Sequence, residues 1–388
     1  MRAGLVVLTL GYVLSQFFRS FLAVLAEDLR IDIGVGPEDL AFASGLWFLA
    51  FALMQIPVGW ALDKIGPKAT AAALFGVGAG GGALIFALAT SALHVNIAMV
   101  LIGIGCAPVL MASYYIFARV YAPARFATLA AMVIGIGSLG NLAGASPLTW
   151  MVGVFGWRAT MAALAAVSLA CAFGIWALVR NPDAVSGDAR GSLLDLLKMR
   201  ALWFILPAVF VLYAPVAGIR GSWIGPYLLH NGFDETQVGF ATLLMALAMI
   251  LGTFFYGPLD RIFGTRKWVV LAGGTAVMVA LFVLIGAPVH FHALLTLFCL
   301  IGFFGMTYPV IMAHGRAFFP PHLAGRGVTL LNMFSIGGAG FLQMVSGRIY
   351  VASAPSGIDS AYFNVFTFFA LVSLIGLLPY IFAQDRTD

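Results

Sequence analysis

Two arginines sit where an isolated charge is least expected. Arg19 lies inside the apolar run 3–25, and Arg220 lies inside the run 202–229. A cation at the centre of a bilayer costs about 2.5–3.5 kcal/mol on insertion scales, so ionisable residues kept there generally face a cavity or a partner. Arginine stays protonated at physiological pH, and its planar fork of donors matches a carboxylate or a phosphate. All 15 acidic residues fall in loops or at the ends of apolar runs, none at mid-run. Two permanent cations without a buried carboxylate point to negative charge brought by a solute, either an anion or a zwitterion with a carboxylate or phosphonate end. Neighbouring residues fit such a site. Tyr12, Gln16 and Arg19 recur at i, i+4 and i+7, which is one face of a helix, while Tyr213, Arg220 and Tyr227 repeat every seven, with Trp223 beside them. Aromatic walls with a few polar groups are the usual lining of a small-molecule site. Gln55, Tyr114, Tyr115, Asn141, Tyr308, Asn332 and Gln343 are further polar residues within apolar runs. They either line a cavity or bond helix to helix. The competing role for the arginines is structural, holding backbone carbonyls freed by a broken helix near Gly218 and Gly221.

The elements that must position these residues follow from composition. Of 388 residues, 62% are hydrophobic and 9% charged, with mean hydropathy +1.04. A soluble domain carries about 25% charged residues, so the surrounding solvent is lipid. A spanning helix needs roughly 20 apolar residues, and backbone in lipid must satisfy its own hydrogen bonds. The fold class is therefore an all-α membrane protein with 12 spans, placed at 3–25, 40–61, 69–90, 95–117, 126–150, 158–180, 202–229, 237–258, 268–288, 292–315, 326–350 and 361–384. At 1.5 Å per residue, Arg19 and Arg220 lie roughly 12–15 Å from the following helix end, near the midplane.

Fifteen of the 20 Lys and Arg residues fall on the side of the N-terminus, three fall opposite (Arg30, Arg158 and Arg348), and two are the intramembrane pair. The positive-inside rule then predicts cytoplasmic termini, here in a bacterial inner membrane. That distribution also makes the basic balance a matter of topology rather than of nucleic-acid binding. Three cysteines within spans make a disulfide framework improbable. Val24-Leu25-Ala26 resembles a cleavage site, but Arg19 interrupts the apolar region, and the opening segment reads as a retained first helix.

The chain repeats itself. Gly59…Asp63-Lys64…Gly66…Lys68 follows span two, and Gly257…Asp260-Arg261…Gly264…Lys267 follows span eight, with Gly59 and Gly257 198 residues apart. Arg119 and Arg316, after spans four and ten, are 197 apart, and Arg19 and Arg220 are 201 apart. Three features at nearly one spacing predict two six-helix bundles, 1–180 and 201–388, joined by a cytoplasmic linker 181–200 whose later part, 192–200, suits a short surface helix.

The loop after span two, its copy after span eight and the Gly156-Trp157-Arg158 turn before span six resemble the major facilitator superfamily over the whole chain. The resemblance implies pseudo-symmetric bundles around a cavity opening alternately to either side, with substrate near the midplane and Arg19 and Arg220 across it from one another. It also implies gating roles for Asp63, Lys64, Lys68, Asp260 and Arg261. One arginine on each of spans one and seven is similar to the organophosphate/phosphate antiporters of that superfamily. Its drug/proton antiporters carry an arginine where this chain has Met99 and a Gly-Pro where it has Gly140-Asn141, which argues against multidrug efflux.

Gly76-x-Gly78-x-x-Gly81 and Gly135-x-Gly137-x-x-Gly140 match a dinucleotide fingerprint, yet no strand precedes either. Small residues there serve close helix packing instead. The six histidines are read as interfacial, no metal spacing occurs, and no ATP-binding loop is present. The expectation is thus a secondary transporter, not an enzyme. It moves a small organic anion by alternating access, with a coupling proton or counter-anion, no cofactor and no nucleic acid, as a monomer. Efflux of hydrophobic or metal-chelating compounds with structural arginines is the alternative, and a membrane sensor or scaffold is a third reading.

Overall fold

The computed structural model describes residues 2–35, 37–144, 146–182, 193–286, 289–320 and 323–387. Among them every regular element is a helix. Eleven helical segments are long and apolar enough to cross a bilayer, from Phe42–Lys64 to Ile358–Tyr380, and a shorter apolar helix, Ala3–Phe17, precedes them. Together these account for the twelve expected stretches. Their outward faces are as apolar as their inward ones. On the helix Pro37–Lys64, Trp47, Phe51, Val58 and Leu62 are buried while Phe48, Leu49, Leu53, Ile56 and Trp60 are exposed. A helix hydrophobic all round is what lipid solvent requires.

The first span corrects the expectation of one helix over 3–25. The helix Arg2–Phe17 stops two residues before Arg19, a 3₁₀ turn Phe21–Ala23 follows, and the helix Ala26–Ile33 completes the segment. The backbone tightens to i−3 bonding there: Arg19 N–H donates to Gln16 O at 3.3 Å and Ser20 N–H to Phe17 O at 3.0 Å. Phe17, Phe18 and Phe21 pack on one another at ring centroid distances of 5.7–6.1 Å, which holds the tightened turn. Arg19 therefore occupies a turn, not the third position of a regular helical face.

Other spans are also interrupted. Span five divides into Phe126–Gly137, Leu139–Ala143 and Ser146–Phe155, and span ten into Phe291–Phe304 and Tyr308–Arg316. Span seven runs Leu202–His230 with a π-helical turn at Ile219–Trp223 carrying Arg220. Wide turns of this kind recur at functional sites. The helix Leu193–Leu197 falls within the expected surface helix, while residues 183–192 of the linker and His322 lie outside the described residues.

By contacts the chain forms two units: Met1–Ala122, Val133–Gly191 and Pro320–Leu330 make the first, and Pro123–Met132, Ser192–Phe319 and Leu331–Asp388 the second. Within the first, glycines let backbones approach. A Cβ on Gly105 would lie 2.1 Å from Ala79 N, and one on Gly140 would lie 1.9 Å from Val13 O. The two apparent nucleotide fingerprints thus contain packing positions. At one end of this unit Asp32 accepts from the Trp157 indole at 3.1 Å and pairs with Arg158, which also donates to Ala89 O at 2.9 Å.

Candidate functional site

In the first unit the helix Arg2–Phe17 delivers Tyr12 and Gln16, and the turn beyond it delivers Arg19. Gln16 Nε2 donates to the Tyr12 hydroxyl at 3.0 Å, so those two residues do share a face. The Arg19 guanidinium lies 5.3 Å from the Trp47 ring and 5.2 Å from the Phe51 ring. Both rings are on the buried face of their helix, so the cation lies against covered side chains and not against the exposed residues of that helix. Cation–π contact at a desolvated site is worth up to about 2 kcal/mol. It stabilises the charge without neutralising it. No carboxylate pairs with Arg19 among the described residues.

Several polar atoms around Arg19 have no hydrogen-bond partner. Gln16 Oε1, Arg19 Nε, Trp47 Nε1 and Gln55 Oε1 are all buried in this condition, although Gln55 Nε2 donates to Phe51 O at 3.3 Å. Buried polar groups are ordinarily satisfied, and a cluster of exceptions calls for a reason. Tyr114 and Tyr115 are buried, Tyr115 lying beneath the Arg119 guanidinium at 4.8 Å, and Asn141 is half-buried. Trp47 and Phe51 were not among the residues expected at the site. The i, i+4, i+8 spacing of Trp47, Phe51 and Gln55 is the signal that would have found them.

The second unit repeats the theme with different partners. Arg220 is half-buried, its Nε lacks a hydrogen-bond partner and no carboxylate pairs with it among the described residues. Tyr213 lies seven residues before it on the same span. Tyr213 packs against Tyr308 at 6.4 Å, and the Tyr308 hydroxyl donates to Asn332 Oδ1 at 2.6 Å. Asn332 Nδ2 and Ser335 Oγ nearby on the same helix are buried without partners. Trp223 and Tyr227 are placed differently. The Trp223 indole donates to Ser346 Oγ at 3.0 Å and its ring packs on Tyr350 and Tyr362, while Tyr227 packs on Tyr362, Phe366 and Phe298. Gln343 donates to Ser222 Oγ at 2.5 Å. The last member of the seven-residue repeat of span seven, Tyr227, therefore lies in an aromatic cluster separate from the Tyr213–Tyr308 pair.

The loop residues have definite partners. Asp63 accepts from the Gly325 and Arg326 amides at 3.0 and 3.2 Å and pairs with Arg326 Nε at 3.4 Å, the two side chains only 3% and 10% exposed. Thr329 packs on Gly59, where a Cβ would lie 2.3 Å from Thr329 Oγ1. Lys64 is exposed, whereas Lys68 donates its amide to Asn181 Oδ1 at 3.0 Å and places its ammonium over Trp176 at 5.3 Å.

In the second unit Asp260 pairs with Arg266 at 3.1 Å, both side chains at most 2% exposed, while Arg261 is exposed. Arg266 also donates to Pro123 O and Arg386 O, and Asp385 accepts from the Arg266 and Lys267 amides and from the Thr265 hydroxyl. Burial pushes the Asp260 carboxyl up, partly offset by Arg266. Burial also acts to raise Asp385, but the Thr265, Lys267 and Arg266 donors outweigh it and hold that carboxyl below its ordinary range. Thr128 donates to Gly257 O at 3.0 Å, matching the place of Thr329 on Gly59. Arg266, Arg326 and Asp385 were not anticipated here. Each is an ordinary loop charge in sequence, and only the fold supplies its partner.

His314 departs from the interfacial placement expected of it. It is fully buried, its Nδ1 2.6 Å from the Tyr380 hydroxyl and its Nε2 2.8 Å from Gln384 O. A carbonyl oxygen only accepts, so Nε2 carries the proton and Tyr380 donates to Nδ1. The other described histidines, His94, His230, His290 and His292, are at or near helix ends as well but are not buried. All three cysteines are free thiols, and no group of metal-ligating side chains occurs among the described residues.

Helical spans in two repeated sets, with charged loops at matching places, define a polytopic membrane protein of the transporter type. A family model described as the Major Facilitator Superfamily matches residues 8–227 and again 221–388, and the chain belongs to that superfamily. It is accordingly a multi-pass membrane transporter and not an enzyme. It is 28% identical over 192 residues to AraJ of Escherichia coli, named as a transporter, a match spanning 47% of each chain, so the chain covers about half that relative's length. It is 25% identical over 300 residues to SauU of Cupriavidus necator, named as a sulfoacetate transporter, covering 71% of this chain and 68% of that one. Its fold resembles the solved proton:xylose symporter XylE bound to 6-bromo-6-deoxy-D-glucose, with TM-score 0.76 over 99% of this chain and 96% of that chain at 15% identity. At that identity the likeness is one of fold.

Proposed function

We propose that the chain is a secondary transporter moving a small organic anion across a bacterial inner membrane by alternating access, with Arg19 and Arg220 as the groups that take the anionic end. The carrying observation is that Arg19 in the first unit and Arg220 in the second are both half-buried guanidiniums without a carboxylate partner among the described residues, amid aromatic side chains and unsatisfied polar atoms. A fork of donors that stays charged recognises carboxylate, phosphonate or sulfonate, alone or at the end of a zwitterion. The relative named for sulfoacetate, a compound with a carboxylate and a sulfonate, supports that substrate class. Tyr12, Gln16, Gln55, Tyr213, Tyr308 and Asn332 supply the surrounding contacts, and the Asp63–Arg326 and Asp260–Arg266 pairs hold the loops whose release accompanies transport. Exchange against a second anion or coupling to a proton drives the cycle, and both termini face the cytoplasm.

A thermal-stability screen of the purified protein against carboxylates, phosphates, phosphonates, sulfonates and amino acids tests this, because a ligand selective for the folded state raises the melting point. An anion is expected to stabilise the wild type, and Arg19→Ala and Arg220→Ala are expected to abolish that shift while remaining folded. Stabilisation by neutral or cationic hydrophobic compounds, with no response to anions, would instead favour efflux with the arginines in structural roles. The Trp47 and Phe51 rings around Arg19 fit that second reading as well.

A further inference from the structure

A second recognition surface lies in the second unit, at the end remote from the Asp260 loop. Span seven finishes at His230, and the helix Glu235–Tyr256 returns to the opposite end before Asp260. Beside His230 is a pocket of about 360 Å³ whose lining includes Tyr227, Tyr362, Phe363, Phe366, Asn231 and Asp359. Its aromatic wall is braced. Tyr227 meets Tyr362 and Phe366 at 5.1 Å each, near edge-to-face, and Tyr362 rests on Tyr350 at 5.2 Å and on the buried Trp223 at 6.3 Å. Rings held this way keep their orientation without a ligand.

The pocket carries one formal charge, and its sign is negative. Asp359 stands in the first turn of the helix Ile358–Tyr380. Its side chain is 93% exposed, and its partner is His230 Nε2 at 2.7 Å. No lysine or arginine lines the pocket. Phe363 is exposed and Tyr227 half-buried, so they give the pocket open aromatic surface over the covered Tyr362 and Phe366 rings. Open aromatic surface with a single carboxylate suits an organic ammonium, because π systems attract a weakly hydrated cation and the carboxylate adds a full opposite charge. The same lining repels an anion, so this surface is chemically unlike the surroundings of Arg19 and Arg220.

We infer that this pocket binds an organic ammonium group, with His230 and the ammonium competing for the Asp359 carboxylate. The group comes from a soluble amine or from a choline or ethanolamine lipid headgroup, since Val289 and Phe363 at the pocket are exposed apolar residues suited to acyl chains. The inference is independent of the anion reading, as Asp359 and Tyr362 have no part in that site.

The experiment titrates the full chain with choline by calorimetry, with 3,3-dimethyl-1-butanol as the neutral isostere. Choline is expected to bind at least tenfold more tightly than the isostere. Asp359→Asn and Tyr362→Ala are each expected to weaken choline by about tenfold or more, and His230→Ala is expected to tighten it. A merely structural role for the His230–Asp359 pair would move both of its variants in the same direction. Repeating the titration in phosphatidylcholine and phosphatidylglycerol nanodiscs separates the sources. Choline binding confined to the phosphatidylglycerol discs identifies a lipid headgroup, and equal binding in both identifies a soluble amine. Equal affinity for choline and its isostere, or full choline affinity in Asp359→Asn, an exposed substitution that leaves the core intact, overturns the inference. So does absence of choline binding in phosphatidylglycerol discs.

Discussion

Replacing Gly140 with alanine sets helix propensity against packing, and packing wins. Gly140 lies in the helix Leu139–Ala143, where alanine would ordinarily gain about 0.5–1 kcal/mol. Its Cβ, however, would come to 1.9 Å from Val13 O and 2.9 Å from Phe17 N. A carbon normally approaches a carbonyl oxygen no closer than about 3.3 Å, so the two segments must part by roughly 1.4 Å, the difference between those distances. The obstruction is backbone and no rotamer relieves it. Overpacking of this kind costs about 1–3 kcal/mol, and set against a propensity gain of about 0.5–1 kcal/mol it leaves a net loss of up to about 2.5 kcal/mol. The displaced helix carries Gln16 and leads directly into the turn of Arg19, and displacement of a working group by 1 Å can cost about 10²-fold in catalysis. For binding, a loss of at least about tenfold in anion affinity is expected. Melting of the purified protein and an anion titration read both effects. Gly81→Ala is the control, since a Cβ there meets nothing within 4 Å and should leave both unchanged or raise the melting point slightly. A Gly140→Ala protein that melts at or above the wild-type temperature and binds the anion normally would refute the reasoning.

The loops make further predictions. Asp63→Ala strands the Gly325 and Arg326 amides and the Arg326 guanidinium, so a loss of about 3–5 kcal/mol is expected on melting, whereas the exposed Lys64→Ala should stay within about 0.5 kcal/mol of wild type. Asp260→Ala should destabilise comparably by leaving Arg266 buried and unpaired, and Arg261→Ala should not, which melting of the two variants checks. Asp385 gives a pH dependence of known sign. Its folded pKa lies below the unfolded value, so its stabilisation is present above the unfolded pKa and is lost as pH falls through the folded one. The melting-point gap between wild type and Asp385→Asn should therefore be widest near neutrality and close on acidification, and a gap constant from pH 7 to pH 3 would contradict the assignment.

Hydropathy, charge placement and internal repetition are properties of the chain read in one dimension. They were enough to identify a helical membrane protein, its spans, the matched loops after spans two and eight, and two arginines out of keeping with their surroundings. Lipid solvent imposes those features segment by segment, whatever the segments later touch. Three-dimensional packing decided the rest. That Arg19 leaves the helix depends on three phenylalanines closing a turn, and that it rests on Trp47 and Phe51 depends on a helix thirty residues away in sequence. Asp63 finds Arg326 across a separation of 263 residues, and Asp385 caps Lys267 across 118. Such pairings carry no local signal, because a loop charge has the same composition whether it is solvated or sealed. Only the fold determines which of them loses its water and must be answered by a specific partner.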